Sequence, residues 1–350
     1  MKLISVKCKT PFFAGGKRLH DNVLISREEI PGSIIRASLV KMILRNCPLY
    51  HPQNTDPHGR HNWIYIRDVE KCPACQLYDV CKSFSDWQFG FLKPKGAEPV
   101  IPVDKICKMN RDHGFHSHND YSCNYCGGRL ENTTGWKKDG KLLRINKFST
   151  TRTAIDKYTR TAQIGTLHTV ESIYSPDLTW EFEWDGTPEN YFQVGDLLEL
   201  GKYTSSGYGQ FTVTGVDDAE PARYILDLPI KLFLMSEAML TPEHMDNEPA
   251  SDDEYLCRWE KALFPDLKAL KLTNVQAELD IYRGYDTTKG WGKAFKEPCL
   301  IVGKGAIFEF ELDGSEDEAV KELENLIRNG IGLEINNGYG KLKQIIQKRD

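Results

Sequence analysis

The sequence predicts an α+β protein made of two sheet-and-helix units, with a Cys- and His-rich insertion in the first. Three observations lead there. Period-two alternation marks strands in both halves, and amphipathic stretches with helix-end signals accompany them. A Gly-Tyr-Gly turn closes each half, at Gly207-Tyr208-Gly209 and Gly338-Tyr339-Gly340, which is the mark of an internal duplication. Between residues 47 and 136 the periodicity fades while Cys, His, Pro and Asn accumulate. The expected division is therefore 1–46 with 137–222 as the first unit, 47–136 as the insertion, and 223–350 as the second unit. A chain of 350 residues can supply two cores of ordinary size.

The chain opens in alternation, with Ile4, Val6 and Cys8 on one side and Ser5, Lys7 and Lys9 on the other. A Gly15-Gly16 turn follows, and residues 22–30 read as extended. Ile30-Pro31-Gly32-Ser33 reads as a loop ending in a helix N-cap at Ser33, with Ile35, Leu39, Met42 and Ile43 on one helical face. Arg36 falls near the first turn, where free N–H groups and the positive dipole end favour an anion. Alternation returns over residues 165–174 and at Trp180, Phe182 and Trp184, with Glu181 and Glu183 between them. In the second half Tyr224, Leu226, Leu228, Ile230, Leu232 and Leu234 read as one strand face. The acidic residues 240–260 read as a solvated loop or a surface for a partner, and Ala306, Phe308, Phe310 and Leu312 as a strand. Ala319, Leu323, Leu326 and Ile327 then line a helix that stops at Asn329-Gly330.

Two cysteine groups lie in the insertion. Downstream, Cys107, His113, Cys123 and Cys126 supply four donors, and Cys123-Asn124-Tyr125-Cys126-Gly127 has the knuckle spacing that points two thiolates at one zinc. His116 or His118 could stand in for His113. Upstream are Cys72, Cys75 and Cys81; Cys47 could complete a second site, or the upstream pair could share one ion with the downstream pair. Four protein ligands leave no open position for water, so the expected zinc is structural. No apolar run is long enough to span a bilayer and no charged-then-apolar leader opens the chain, so a reduced cytoplasmic setting is expected.

The net charge is −5, yet residues 137–160 are basic: Lys137, Lys138, Lys141, Arg144, Lys147, Arg152, Lys157 and Arg160 face only Asp139 and Asp156. Lys and Arg with the hydroxyls of Thr153 and Thr161 are groups that hold phosphate oxygens. Glycines at 207, 209, 338 and 340 permit close backbone approach, and Tyr208 and Tyr339 can stack on bases. There is no Walker loop and no Rossmann fingerprint in a strand-to-helix context, which argues against nucleotide-driven and redox chemistry.

Pro31-Gly32-Ser33-x-x-Arg36, preceded by Asp21-Asn22 and followed by an amphipathic helix, resembles the N-terminal motif of RAMP proteins of CRISPR effector complexes. The turns at residues 201–209 and 330–340 are similar to that superfamily's glycine-rich loops. Within it, Arg152-Thr153-Ala154-Ile155-Asp156, Thr161-Ala162, Gly165-x-Leu167, Cys107-Lys108 and the Cys123-x-x-Cys126-Gly knuckle resemble the type III-D subunit called Csx ten, and Gly290-Trp291 and Gly330-Ile331-Gly332 fit its C-terminal pattern. Two departures are His168 where Tyr is expected, and Tyr158 after Lys157 where a run of Arg is expected. The resemblance covers nearly the whole chain. It implies two ferredoxin-like, RRM-type domains and a non-catalytic, Cas-five-like role. Such a subunit would grip the 5′ repeat-derived tag of the CRISPR RNA and contact the large signalling subunit and the RAMP backbone subunits. Arg36, Arg152, Lys157 and Arg160 would hold phosphates, Thr153 and Thr161 would donate to them, and Tyr208 and Tyr339 would stack. The acidic residues 240–260 would face away from RNA or meet a basic partner.

Two rival readings accompany this one. In the first, Asp21 serves an RNA-cleaving RAMP subunit, or His20 or His168 a tag-processing nuclease, although no His–Lys–Tyr arrangement is evident. In the second, the chain is a zinc-dependent protein-interaction module without RNA.

Overall fold

The computed structural model describes residues 1–15, 22–47, 66, 72, 75–116, 120–221, 223–241, 251–282 and 297–346, and the backbone of Arg18 and Leu19. The fold is α+β, with more strands than helices. The chain falls into two compact units, Met1–Lys95 with Arg144–Ala219, and Gly96–Leu143 with Glu220–Asp350. This partition differs from the one expected. The insertion is not one body: Val80, Phe84, Trp87, Phe89 and Leu92 belong to the first core, whereas residues 96–143 join the second unit. The cationic run is divided with it, Lys137, Lys138 and Lys141 falling in the second unit and Arg144 to Arg160 in the first.

In the first unit the strand Lys2–Cys8 lies between Thr179–Asp185 and Gln210–Asp218, antiparallel to both. Gln88–Phe89 and Lys93–Pro94 pair on the far side of Thr179–Asp185, and Leu197–Glu199 on the far side of Gln210–Asp218. Ile4, Val6, Trp180, Phe182 and Trp184 are buried, as their alternation requires. Trp87, Trp184, Tyr191 and Phe192 pack edge to face, with Trp184 and Phe192 centroids 5.0 Å apart. The helix Gly32–Arg45 buries Ile35, Leu39, Val40, Ile43 and Leu44 on the same core. Ser33 is not its cap. Pro31 holds that position, and its carbonyl accepts the Ile34 and Ile35 N–H groups. Proline suits this entry because it lacks the N–H that a helix start leaves unpaired.

A second sheet of this unit runs Lys147–Arg152, His168–Ile173, Val23–Ile25, Arg18–Leu19, with the middle pair parallel. It leaves Lys147–Arg152 as a mostly exposed edge, without a strand neighbour on its other side among the described residues.

The second unit shows strand, helix, strand, strand, helix, strand: Ile230–Leu234, Asp252–Leu263, Leu270–Gln276, Ile307–Leu312, Glu316–Asn329, Leu342–Gln344. The sheet order is second, third, first, fourth, all antiparallel, which is the ferredoxin-like connectivity. The first unit repeats that order around Lys2–Cys8, with loop in place of the second helix. Ala319, Leu323, Leu326 and Ile327 are buried, and Gly330 ends the helix at φ +77°. Glu322 on this helix accepts the N–H groups of Lys268, Ala269 and Leu270, fixing the entry of the neighbouring strand.

Two expectations fail here. Tyr224 and Leu226 pack on the core but precede the strand, which begins after Pro229, a residue with no N–H to give a ladder. Residues 252–263 are a helix rather than a loop. The Ser251 hydroxyl accepts the Glu254 N–H, and Asp252, Asp253 and Glu254 fill the first turn. That is an N-terminal capping signature, legible in the sequence, that overall acidity obscured.

Candidate nucleic-acid interface and metal knuckle

The two Gly-Tyr-Gly turns have the same backbone design. Gly201, Tyr203, Gly207 and Gly209 all have positive φ, and so do Gly332, Glu334, Gly338 and Gly340 at the matching positions. Each turn holds a short 3-10 segment, Thr204–Ser206 or Ile335–Asn337. Gly209 N–H donates to the Pro11 carbonyl, and Gly340 N–H to the Glu237 carbonyl, 2.8 and 2.7 Å. A Cβ on Gly209 would come within 2.0 Å of the Leu200 oxygen, and one on Gly340 within 1.8 Å of the Ile331 oxygen. These glycines are required by contact with the chain's own backbone.

The side chains carried by the turns diverge. Tyr339 is 2% exposed, so its ring offers no stacking face. Tyr208 is half-buried on the first turn, 6.1 Å from Tyr203 in an edge-to-face pair, and Glu334 stands at the position that matches Tyr203. Arg152, at the end of the exposed edge strand, places its guanidinium 4.7 Å from the Tyr208 ring centroid and 5.3 Å from that of Tyr203. Hydroxyls of Thr150 and Tyr208 meet at 3.5 Å, and Lys41 donates to Thr204 at 3.1 Å. The sequence-derived candidates Arg152, Gly207, Tyr208 and Gly209 thus come together, joined by Tyr203 and Lys41. Tyr203 carried a signal, an aromatic residue inside the glycine turn; Lys41 carried none.

The other candidates lie in different settings. Arg36 donates to the carbonyls of Phe84 (3.0 Å) and Trp87 and packs over the Phe89 ring, 5.1 Å from its centroid. Its guanidinium ties the helix to the core rather than facing solvent. Residues 153–166 form an exposed loop closed by an Ile155–Ala162 bridge. The Asp156 carboxylate accepts the Tyr158 and Thr159 N–H groups at 2.8 Å each. Those backbone donors, Thr159 first and then Tyr158, hold its carboxyl below the usual range. Thr153 and Thr161 share their hydroxyls with Thr166 and Thr159, at 3.1 and 2.8 Å. Lys157 and Arg160 are exposed on the loop, beside Tyr158 at 96% and Ile164 at 102% exposure. His168, opposite Arg152 across the ladder, approaches the Thr166 carbonyl through Nδ1 at 3.0 Å. Lys147 is engaged by Glu28 and Glu171, and in the second unit Lys137 by Asp104. Asp21, His20, His118 and Gly290-Trp291 lie outside the described residues.

In the second unit a small sheet, Phe115–His116, Lys105–Cys107 and Leu130–Asn132, positions a knuckle. Cys123 N–H donates to Gly128 and Gly127 N–H to Cys123, both at 2.8 Å, curling the turn around the thiols. The donor atoms of Cys107, His113, Cys123 and Cys126 lie within 4.8 Å of one another. Cys107 and Cys126 Sγ are 3.5 Å apart, and His113 Nδ1 and Cys123 Sγ 3.2 Å. A tetrahedral ion with sulfur at about 2.3 Å separates its ligands by about 3.8 Å, so the set fits a metal after small adjustments. Burial pushes the Cys107 and Cys123 thiols up, but N–H donors, from Asn110 for Cys107 and Tyr125 for Cys123, help hold both below their ordinary value. His113 is the histidine in the set. His116 instead sits 3.9 Å from Asp120, outside it.

No protein-family model and no curated protein matches the sequence. Among solved structures, a chain of the type III-B Cmr-beta complex bound to cognate target RNA and AMPPnP is 11% identical, over 98% of this chain and 99% of that one, with TM-score 0.49. A chain of Cmr-beta bound to cognate target RNA is 12% identical, over 94% and 96%, with TM-score 0.47. A CRISPR associated protein Cas6 is 10% identical, over 99% and 98%, with TM-score 0.29. At these identities and scores the likenesses assign no residue and no activity to the chain. Among the described residues no helix is long and apolar enough to cross a membrane.

Proposed function

We propose that this chain is a non-catalytic, CRISPR RNA-binding subunit of a type III-D effector complex. It grips the 5′ repeat-derived tag with the first of its two glycine turns and contacts the large signalling subunit and RAMP backbone subunits. The observation that carries the reading is Arg152 stacked on Tyr203 and Tyr208. A guanidinium whose face is held by rings keeps N–H donors at its edge for a phosphate, and a half-buried tyrosine beside it offers a stacking face to a base. Lys41 adds charge beside the turn, and Lys157 and Arg160 extend it along the loop of residues 153–166. The second turn lacks these groups, having Glu334 and a buried Tyr339, and serves the fold. The family resemblance of the motifs supplies the identity of the RNA and of the partners. Three thiolates and an imidazole select zinc, which at the knuckle holds the small sheet of residues 105–132 in place of a larger core.

Fluorescence anisotropy with a single-stranded RNA of the repeat-tag sequence tests this. Binding should weaken steeply between 50 and 200 mM salt, at roughly 0.7 log units in affinity per log unit of salt for each phosphate held. The RNA should stay intact with magnesium or manganese. Salt-independent binding or no binding would exclude the RNA reading, and cleavage would replace the non-catalytic role with an enzymatic one.

A further inference from the structure

We propose that Cys47, Cys72, Cys75 and Cys81 form a second structural metal site, of four thiolates, within the first unit. The downstream knuckle already has four donors of its own, so the upstream thiols need not share its ion. Cys47 follows the helix Gly32–Arg45, held there by its N–H to the Leu44 carbonyl at 3.1 Å. Cys75 N–H closes a turn on the Cys72 carbonyl at 2.9 Å, and Tyr78 N–H a second turn on Cys75 at 3.0 Å. The helix Tyr78–Ser83 then carries Cys81, whose N–H donates to Leu77 at 2.9 Å. Three cysteines are thus set out on consecutive turns, and Cys47 and Cys81 pack against the same core. The Cys81 thiol lies within electrostatic reach of those of Cys47, Cys75 and Cys72. The set is more open than the downstream one, whose donors lie within 4.8 Å, so an ion would draw it together.

The chemistry favours zinc. Four soft thiolates drawn around one ion form a closed structural site, and bound zinc keeps them deprotonated. Between Cys47 and Cys81 the described residues that meet the core include Val80, with Ile66 and Leu77 partly buried beside it. A metal clip that closes a long segment limits the freedom of the unfolded chain.

Metal content of the full chain, purified under reducing conditions, tests the proposal. The expected stoichiometry is two zinc ions per chain. Cys107→Ser with Cys123→Ser should leave one ion, and cobalt substituted into that variant should show the absorption of an all-thiolate site. Cys75→Ser with Cys81→Ser should also leave one, with cobalt then showing a mixed sulfur and nitrogen site. The ion retained in each double variant reports that the rest of the chain has folded. One zinc in the wild type that Cys75→Ser and Cys81→Ser leave in place, or disulfides joining the upstream cysteines in a peptide map, would overturn it. RNA binding does not enter the measurement, so the site and the RNA reading stand or fall separately.

Discussion

Replacing Arg152 by lysine and by glutamine separates the two things its guanidinium is proposed to do. Lysine keeps the charge but loses the planar face that lies 4.7 and 5.3 Å from the two ring centroids. Each exposed cation–π interaction is worth about 0.5–1 kcal/mol, so the pair supplies about 1–2 kcal/mol of positioning. If that positioning is used by the RNA, Arg152→Lys weakens binding about 5- to 30-fold with little change in salt dependence. Arg152→Gln removes the charge as well. For each phosphate no longer neutralised, the slope of log affinity against log salt flattens by about 0.7, so the affinity of the variant falls about 2.6-fold less than that of the wild type on going from 50 to 200 mM salt. Anisotropy titrations of both variants at those two salt concentrations make the comparison, with circular dichroism to show that the fold persists. Wild-type affinity and slope in Arg152→Gln would refute the assignment of Arg152 to a phosphate.

Two further outcomes follow from the geometry. Gly209→Ala should lower the melting temperature by several degrees, because φ +70° and a Cβ 2.0 Å from a carbonyl oxygen together cost about 2–4 kcal/mol; Gly207→Ala, at φ +84° with open space around it, should cost only about 1–2 kcal/mol, and equal melting temperatures by calorimetry would contradict this account of the turn. Asp156 is held below its ordinary carboxylate value in the folded loop, so its support is present above the usual carboxylate range and is lost as pH falls through the depressed folded value; protection of the Tyr158 and Thr159 amides in hydrogen exchange should fall over that acid window in the wild type and be low throughout in Asp156→Ala, which removes the acceptor, and identical profiles would count against the capped loop.

Local pattern reveals much of this fold. The alternation at Ile4, Val6, Trp180, Phe182 and Trp184 and the helical face of Ala319, Leu323 and Ile327 were legible because burial on one face imposes a period that no distant residue has to supply. The repeated Gly-Tyr-Gly was legible too, but its meaning was not. Both turns need glycine for backbone clearance, while only the first carries a ring beside an arginine, and that difference depends on which strand edge lies next to each turn. The sequence offers Arg36 as an anion ligand because helix starts attract anions. The carbonyls of Phe84 and Trp87, far along the chain, take its donors instead. The division of the insertion was hidden for the same reason. Trp87 and Phe89 sit amid polar sequence, and what draws them to the first unit is the aromatic cluster around Trp184 and Tyr191. The helix Asp252–Leu263 is legible in its Ser251 cap, which the acidity of the surrounding residues masks.

Ultraviolet crosslinking of the full chain to a repeat-tag RNA, with the joined peptides identified by mass spectrometry, would locate the RNA on one glycine turn or the other. Adducts are expected on the peptide that carries Tyr203 and Tyr208, and should be lost when Tyr208 is replaced by alanine. Adducts confined to the second turn around Tyr339, with the first turn unlabelled, would contradict RNA binding at the first turn.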